Sequence, residues 1–249
     1  MFATGTLDIS DMSFDILNQN SNFSLQAKGR KVGIMVEDCK DGSIPIVRTT
    51  TQYSDAPTLL TSAHYSIVDA IRKTMNMPLH FNNVMVEIYT NEYSTMGFHT
   101  DQAIDLENDS YICIFTCYQK PNAKNIRKLL IVNKQTEEKS EIKMQHNSFI
   151  LFSTKTNMLH KHSIILDDES KKADDSEFMN ITFRLSKTFI RFDENGAPHL
   201  PNGKVLRKAT PDEQKQFYLI KGKENRKYDF KNPDIDFTIS DSDMMSIKK

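Results

Sequence analysis

Seven short runs rich in β-branched and aromatic residues follow one another after Pro78, and they constrain the fold more than any other feature of the sequence. Each run has five to eight residues and polar or turn-forming segments on both sides, which is typical of strands. No helical repeat separates the runs, so the pattern predicts an antiparallel sandwich or barrel. The runs are VMVEIY (84–89), YICIFTC (111–117), KLLIVN (128–133), SFILFS (148–153), HSIIL (162–166), FMNITFRL (178–185) and TFIRF (188–192).

One amphipathic segment precedes these strands. Over residues 58–76 the apolar residues recur at spacings of three and four, which predicts a helix that packs against the sheet, and Asp55 and Pro57 mark its start. The apolar face consists of Leu60, Ala63, Ile67, Ile71 and Met75. A second helix start is indicated at Thr210, because Pro211 follows it and an acidic residue stands three positions after it.

The 249 residues have room for one large domain with extensions. We predict an N-terminal extension over residues 1–30, a β-rich domain over residues 31–200, and a C-terminal helix and tail over residues 201–249. The last sixteen residues, 234–249, are predicted to form a loosely ordered tail. The fold class is therefore mainly β with flanking helices, an α+β arrangement.

The charge balance limits the possible partners. Thirty-two basic and 33 acidic residues leave a net charge of −1, which argues against binding nucleic acid by bulk charge alone. The basic run over residues 120–128 is interpreted as a solvated loop or a phosphate contact. Three cysteines form no disulfide framework, and neither a long apolar run nor a secretory start is present. We therefore expect an intracellular protein, in the cytoplasm or nucleus, without a membrane segment.

The segment GFHTDQ contains the most informative side chains. His99 and Asp101 stand two residues apart, so both point to the same side of an extended chain and can bind one ion. An isolated His-x-Asp is more often a surface turn, but His160 and His162 open a distant strand and either can supply a third ligand. Two histidines and one carboxylate leave three coordination positions open, as in non-haem Fe(II) oxygenases. A four-ligand structural zinc site leaves none open.

Four segments, in the same order along the chain, resemble the AlkB-type branch of the 2-oxoglutarate and Fe(II)-dependent dioxygenases. They are PIVRTTTQYSD (45–55), VMVEIYTNEYSTMGFHTD (84–101), TNMLHKHSII (156–165) and NITFRLS (180–186). The resemblance covers about 150 of the 249 residues. It implies a double-stranded β-helix, or jelly-roll barrel, with iron at its mouth.

The resemblance also implies roles for particular residues. His99, Asp101 and His162 match the iron ligands, and His162 is preferred over His160 because the order His-Ser-Ile matches the family. Tyr89 and Arg184 match residues that contact the carboxylates of 2-oxoglutarate. The implied cofactors are Fe(II), 2-oxoglutarate and O2. The implied activity is that of an oxidoreductase, a hydroxylase that acts as a demethylase on an N-alkylated nucleobase in DNA or RNA, or on a protein side chain.

Two positions depart from the family pattern. Phe178 stands where the family has an arginine, six residues before Arg184, and Glu87 stands where it has an asparagine. One carboxylate clamp is thus missing, for which Arg184, Lys187 or Lys171 are the candidate replacements. The alternatives are a protein or small-molecule hydroxylase, a metal-dependent cupin that works without 2-oxoglutarate, and a non-catalytic jelly-roll binding module that has lost 2-oxoglutarate binding.

Overall fold

The computed structural model of the chain describes residues 1–9, 13–19, 23–121, 126–167 and 176–248. The strands are β1 (Ala3–Thr6), β2 (Ser24–Ala27), β3 (Arg30–Val36), β4 (Ile44–Pro45), β5 (Thr58–Leu59), β6 (Asn83–Tyr89), β7 (Tyr111–Tyr118), β8 (Arg127–Asn133), β9 (Lys139–Met144), β10 (Ser148–Ser153), β11 (His160–Leu166), β12 (Phe178–Arg184), β13 (Phe189–Phe192), β14 (Pro198–His199), β15 (Arg207–Lys208) and β16 (Phe237–Thr238). The helices are α1 (Phe14–Gln19), α2 (Ser62–Met75), α3 (Thr154–Leu159) and α4 (Pro211–Arg226), with a 3₁₀ turn at Ser242–Met244.

The largest sheet has the strand order β1-β10-β7-β12-β6-β3-β2, with β5 beside β3. Neighbouring strands along this order are antiparallel, and β5 alone pairs in parallel. In the centre, Phe178 of β12 lies opposite Tyr89 of β6, and Asn180 lies opposite Glu87. All seven predicted strands are present. The strands β1, β2 and β9 were not predicted, because their sequences carry no clear apolar alternation. Strand β3 was not predicted either, although its second half is an apolar run.

A smaller antiparallel sheet, in the order β11-β8-β9, faces the large one. The two sheets enclose one apolar layer, which consists of Tyr89, Ile112, Ile114, Ile150, Phe152 and Phe178 from the large sheet and Leu129, Ile131, Met144 and Ile164 from the small one. Residues from opposed antiparallel sheets that share one core form a double-layered β-barrel of the jelly-roll type. The predicted fold class is confirmed.

Helix α2 covers the outer face of the large sheet. Its residues Ala63, Ile67 and Ile71 share a core with α1 and with the outward-facing residues of the central strands. The helix prediction is confirmed, but the predicted start was four residues too early. Thr58 and Leu59 pair with the end of β3 as strand β5, so the helix begins only after its cap, Thr61.

The C-terminal region packs against the barrel. Helix α4 starts at Pro211, where Thr210 and Glu213 form the predicted capping box. Phe217 of this helix shares a core with residues 235–239. The prediction of a loosely ordered tail was wrong, because Phe237 and Ile239 supply apolar surface that α4 buries.

Residues 1–30, predicted as an extension, supply strands at both edges of the large sheet, β1 and β2. The predicted boundary falls at the first residue of β3, and the division into domains stays a prediction. No helix in the described part of the chain is both long and apolar enough to cross a membrane.

Candidate metal centre

His99, Asp101 and His162 meet at one end of the space between the two sheets. One potential ligand atom from each residue lies within 4.8 Å of the others. The backbone brings the histidines together: His99 N donates to the His162 carbonyl at 2.9 Å, and His162 N donates to the His99 carbonyl at 2.7 Å. Directly opposed residues of an antiparallel pair carry neighbouring side chains, and the two imidazole centroids are 4.4 Å apart. Of the two histidines that open β11, the structure places His162 in this cluster.

The carboxylate of Asp101 is held with one oxygen toward the histidines. Asp101 Oδ1 lies 3.6 Å from His99 Nε2 and 3.4 Å from His162 Nε2. The other oxygen, Oδ2, accepts hydrogen bonds from Arg184 Nε at 3.0 Å and Nη2 at 2.7 Å. Asn157 fixes the backbone, since its amide accepts from Asp101 N at 3.0 Å and donates to the Asp101 carbonyl at 2.9 Å. The direction of Oδ1 is therefore set by the contacts of Arg184 to Oδ2 and of Asn157 to the backbone of Asp101.

The tautomer of His99 follows from its backbone contact. His99 Nδ1 lies 2.9 Å from the Gly97 carbonyl oxygen, which can only accept a hydrogen bond. Nδ1 therefore carries the proton, and the lone pair of Nε2 faces the cluster. A neutral imidazole with this orientation is ready to bind a metal ion.

Burial and charge together set the protonation states of the site. Burial alone would raise the pKa of Asp101, but the Arg184 guanidinium and the two imidazoles hold it well below its usual range. Burial, together with the neighbouring His99, lowers the pKa of His162 to about 4. At neutral pH the cluster thus presents one carboxylate and a neutral His162, which is the form that binds metal.

The donor set fits a divalent transition metal. Three ligand atoms at right angles around an ion, with bonds of about 2.1 Å, lie about 3.0 Å apart. The separations of 3.4 and 3.6 Å from Asp101 Oδ1 are close to this value, so small side-chain rotations would complete the geometry. Two nitrogens and one oxygen on a single side of the ion match the facial arrangement of non-haem Fe(II) sites. Metal binding by these residues stays a prediction.

A cavity of about 230 Å³ opens beside the cluster. Ligand pockets for drug-sized molecules measure about 300–1,000 Å³, so this one suits a smaller molecule. Its charged walls include Arg30, Glu87 and Lys221 besides the cluster and Arg184. Arg30 donates to Glu87 Oε1 from Nε at 3.1 Å and from Nη2 at 2.7 Å, so these two charges neutralise each other.

The two residues predicted to contact a co-substrate differ in position. Arg184 lines the cavity while it holds Asp101. Tyr89 is 1% exposed, lies outside the cavity lining, and stacks between Tyr93 and Phe178 with centroids at 5.2 and 5.7 Å. Its phenol oxygen has no hydrogen-bond partner in the described part of the chain. The prediction that Tyr89 meets a carboxylate stays a prediction.

Of the proposed replacements for the missing arginine, Arg184 lines this cavity and Lys187 does not. Lys187 lines a different cleft of about 830 Å³, on the other side of the Thr100 segment. Lys171 lies outside the described residues, as does Lys124 of the basic run. The last part of that run is not a solvated loop, since Arg127 begins β8 and is 1% exposed. The interpretation of residues 120–128 as a purely solvated loop was therefore wrong at that position.

Sequence reasoning missed four contributors to the site. Arg30 lay in a segment interpreted as an extension, and Asn157 lay in a polar stretch before β11. Lys221 of α4 lines the cavity and donates to the Thr100 carbonyl, while Asn225 accepts from Thr100 N at 2.9 Å. The capping box predicted the helix but not its position, because a cap carries no information on which surface the helix covers.

Comparison with protein-family models and with curated protein sequences finds no match. Among solved structures, one described as OsALKBH1 is similar with a TM-score of 0.49 and 14% identity, over 74% of this chain and 97% of that chain. A prolyl hydroxylase from Trichoplax adhaerens, in complex with a hypoxia inducible factor oxygen degradation domain peptide fragment, is similar with a TM-score of 0.44 and 12% identity, over 75% and 84%. The chemical argument for this site comes from its own side chains.

Proposed function

We propose that the protein is an Fe(II)- and 2-oxoglutarate-dependent dioxygenase that hydroxylates a C–H bond. One observation carries the proposal: Asp101 Oδ1 faces the Nε2 atoms of His99 and His162 beside a cavity for a small molecule. A three-residue ligand set leaves room on the metal for a co-substrate and dioxygen. A closed structural site would need a fourth protein ligand, and no other described histidine, cysteine or carboxylate joins this cluster.

The protein's residues hold and orient the reacting groups. His99, His162 and Asp101 would bind the ion through two lone pairs and one carboxylate oxygen. Arg184 keeps Oδ2 occupied, so that Oδ1 remains directed at the ion. When bound, iron and 2-oxoglutarate together supply the oxidising chemistry, in which one atom of O2 enters the substrate C–H bond and the other enters succinate, with release of CO2. His162 and Asp101 are both buried, so these two ligand side chains are shielded from bulk water.

An N-alkylated nucleobase is the substrate class we favour, on the resemblance of the sequence to the AlkB branch. Hydroxylation of an N-methyl group is followed by loss of formaldehyde, which makes the reaction a demethylation. An exposed aromatic ring near the cavity supports this class: Tyr218 of α4 accepts a hydrogen bond from Gln52, the neighbour of the cavity residue Thr51. A base taken out of its stack can pack on an exposed ring of this kind.

The other substrate classes make different use of the same site. A protein side chain or a small metabolite would need only the metal and the co-substrate, without stacking at the mouth. A non-catalytic module would keep the metal without co-substrate turnover, and a cupin-type enzyme would react without forming succinate. Each alternative predicts a different pattern of binding and products.

Anaerobic titration of the Fe(II)-loaded protein with 2-oxoglutarate tests the proposal. Chelation of the metal by the keto acid gives a weak visible charge-transfer band. We expect the band in the native protein, its loss in His162→Ala, and its retention in the matched control His160→Ala. His160 Nδ1 contacts the Thr156 carbonyl at 2.8 Å, and the residue lies outside the cluster. Bound iron without a band would contradict the dioxygenase assignment, and failure to bind iron would contradict the metal site itself.

The substrate assignment needs a second measurement. Succinate formation should rise when methylated oligonucleotides are added, with formaldehyde as co-product. Stimulation by peptides or metabolites alone would contradict the nucleobase proposal while leaving the chemistry intact. Tyr218→Ala should weaken the oligonucleotide-dependent rate without changing the charge-transfer band.

A further inference from the structure

Four lysine and arginine side chains are buried in the described part of the chain, and three of them pair with a carboxylate. The pairs are Arg48–Asp105 and Arg184–Asp101, both at 2.7 Å, and Lys221–Glu224 at 3.8 Å. The fourth is Arg127, which is 1% exposed. None of the described carboxylates forms an ion pair with it. A buried charge without a counter-ion is strongly unfavourable in a folded protein.

The contacts of Arg127 are all neutral. Nη1 donates to the Tyr93 carbonyl at 2.9 Å and Nη2 to the Thr90 carbonyl at 2.8 Å. The guanidinium carbon lies 4.9 Å from the centre of the Tyr89 ring and 5.4 Å from that of Phe178. A guanidinium has five N–H donors, and these carbonyls take two of them. Burial lowers the pKa of Arg127, and the only charges that oppose this shift belong to tyrosines.

A second unsatisfied group lies against the first. The phenol oxygen of Tyr89 is buried; the Glu87 carboxylate lies near it, but no described residue forms a hydrogen bond of normal geometry with it. A phenol donates one hydrogen bond, and a carboxylate accepts from both a phenol and a guanidinium. The site thus offers an unpaired positive charge and a free donor, which together match one carboxylate group.

The positions of Arg127 and Tyr89 are consistent with a ligand whose other end binds the metal. Along β8, Arg127 lies on the same inward face as Ile131, which is paired with His162. Four residues of strand span about 13 Å, so the backbone of Arg127 lies about that far along β8 from Ile131, the residue beside the metal cluster. On the opposite sheet, Tyr89 stands two residues from Glu87, on the same face, and Glu87 lines the cavity. Neither Arg127 nor Tyr89 lines the cavity itself, but Tyr89 follows the cavity residue Glu87 by two positions, and Arg127 lies over the Tyr89 ring.

The net charge at this end also fits one carboxylate. Arg30 and Glu87 neutralise each other through two hydrogen bonds. Asn180 Nδ2 donates to the second oxygen of Glu87 at 2.9 Å, which completes the contacts of that carboxylate. Arg127 is left with a charge of +1 that no described carboxylate balances.

We propose that Arg127 and Tyr89 bind the carboxylate of 2-oxoglutarate that is distant from the metal. This inference rests on the proposed function. On β12, Phe178 stands where the AlkB-type pattern has an arginine. Arg127 on the facing strand β8 places a guanidinium over the ring of Phe178. The cation for the co-substrate would then come from the opposite sheet.

Calorimetric titration of the Mn(II)-loaded protein with two keto acids tests the inference. 2-Oxoglutarate has the distant carboxylate, and 2-oxobutyrate lacks it while keeping the chelating end. We expect Arg127→Gln to raise the Kd for 2-oxoglutarate by about 10- to 100-fold, because a charge-assisted contact is lost. Tyr89→Phe should raise it by about 3- to 10-fold, since one hydrogen bond is removed. The Kd for 2-oxobutyrate should stay within about twofold in both variants.

The matched control is the double variant Arg30→Gln/Glu87→Gln, which removes a neutral ion pair from the cavity wall and leaves the net charge at this end unchanged. We expect it to change the ratio of the two Kd values by less than about threefold. A purely structural role of Arg127, which holds the turn at Thr90 and Tyr93, would weaken both keto acids equally and would overturn the inference. Loss of the 2-oxoglutarate preference in the Arg30→Gln/Glu87→Gln variant, but not in Arg127→Gln, would also overturn it.

Two further results separate the inference from the proposed function. If Arg127→Gln does not fold, as judged by circular dichroism, Tyr89→Phe tests the inference instead, because it keeps the ring and its packing. An unchanged ratio of the two Kd values in Tyr89→Phe then overturns the inference. If the native protein binds Mn(II) but neither keto acid, the proposed function fails and the inference with it. If the native protein prefers 2-oxoglutarate and Arg127→Gln keeps that preference, only the inference fails.

Discussion

The ion pair between Arg184 and Asp101 is the contact whose removal tests the metal centre most directly. Both side chains are buried, and two hydrogen bonds at 3.0 and 2.7 Å join them. Arg184→Met keeps an unbranched side chain but leaves the Asp101 carboxylate without its partner. Loss of one member of a buried pair costs about 3–5 kcal/mol. In a domain of this size each kcal/mol corresponds to about 2–4 °C in Tm, so the metal-free variant should melt about 6–20 °C below the native protein.

A divalent ion should reverse much of this loss. In the native protein Mn(II) must bind beside the positive charge of Arg184, whereas in Arg184→Met it would replace that charge as the counter-ion of Asp101. Saturation at 100 times the Kd stabilises a protein by about 2.7 kcal/mol, and tighter binding adds to this value. We therefore expect a larger rise in Tm on adding Mn(II) to Arg184→Met than to the native protein, measured by differential scanning fluorimetry over a range of metal concentrations.

Arg48→Met is the matched control. Arg48 and Asp105 form an equally buried pair at 2.7 Å, and Arg48 lines the larger cleft and not the metal cavity. Without metal this variant should lose a similar amount of stability. Its response to Mn(II) should equal that of the native protein. An equal or smaller metal response in Arg184→Met than in Arg48→Met would refute the reasoning that Asp101 is a metal ligand whose charge Arg184 balances.

Three further predictions concern single buried groups. Asn157→Ala removes both amide contacts to the backbone of Asp101, so it should lower the free energy of unfolding by about 1–3 kcal/mol. It should also weaken Mn(II) binding, measured by calorimetry, and an unchanged metal affinity would contradict the orienting role of Asn157. Burial raises the pKa of Asp243 from its usual 3.8 to about 7, so its contribution to stability falls as pH rises through this interval. Asp243→Asn should therefore stabilise the protein by about 2–4 kcal/mol at pH 8 and little at pH 4. Equal urea midpoints of the variant and the native protein at pH 8 would contradict this. Burial lowers the pKa of His64 from 6.5 to about 4, so about 3 kcal/mol of stability present above pH 6.5 should be lost as pH falls toward 4; His64→Gln, which keeps a capping side chain, should lose less over that range in urea denaturation.

The sequence predicted the barrel strands and the metal cluster for physical reasons that can be stated. Strands of the central sheet are buried on both faces, so they appear as apolar runs that need no knowledge of their partners. His99 and Asp101 are close in the chain, and their spacing alone places them on one face. The third ligand required a long-range pairing, and the resemblance to the AlkB branch supplied the choice of His162 over His160.

The contributions of Lys221 and Arg127 could not be predicted in the same way. Lys221 reaches the site because α4 packs on the Thr100 segment, and that docking depends on residues far apart in the chain. Arg127 stands in a basic run, which is typical of a solvated surface. Strand alternation does place it on the inward face with Leu129, but a buried guanidinium without a carboxylate partner is an unusual arrangement, so the charge run outweighed the alternation.

The two departures from the AlkB pattern, Phe178 and Glu87, take on a common meaning under the proposed assignment. Each alone would weaken a carboxylate site, since one removes a cation and the other adds an anion. In this chain Arg30 neutralises Glu87, and Arg127 places a guanidinium over the ring of Phe178. The sum of charges at the end of the cavity farther from the metal is then +1, the value that an arginine and an asparagine at these two positions would give. A change of residue at one position therefore does not by itself predict loss of the co-substrate. The total charge that faces the ligand decides whether the co-substrate binds. In this protein Arg30 of β3 and Arg127 of β8 supply the positive charges.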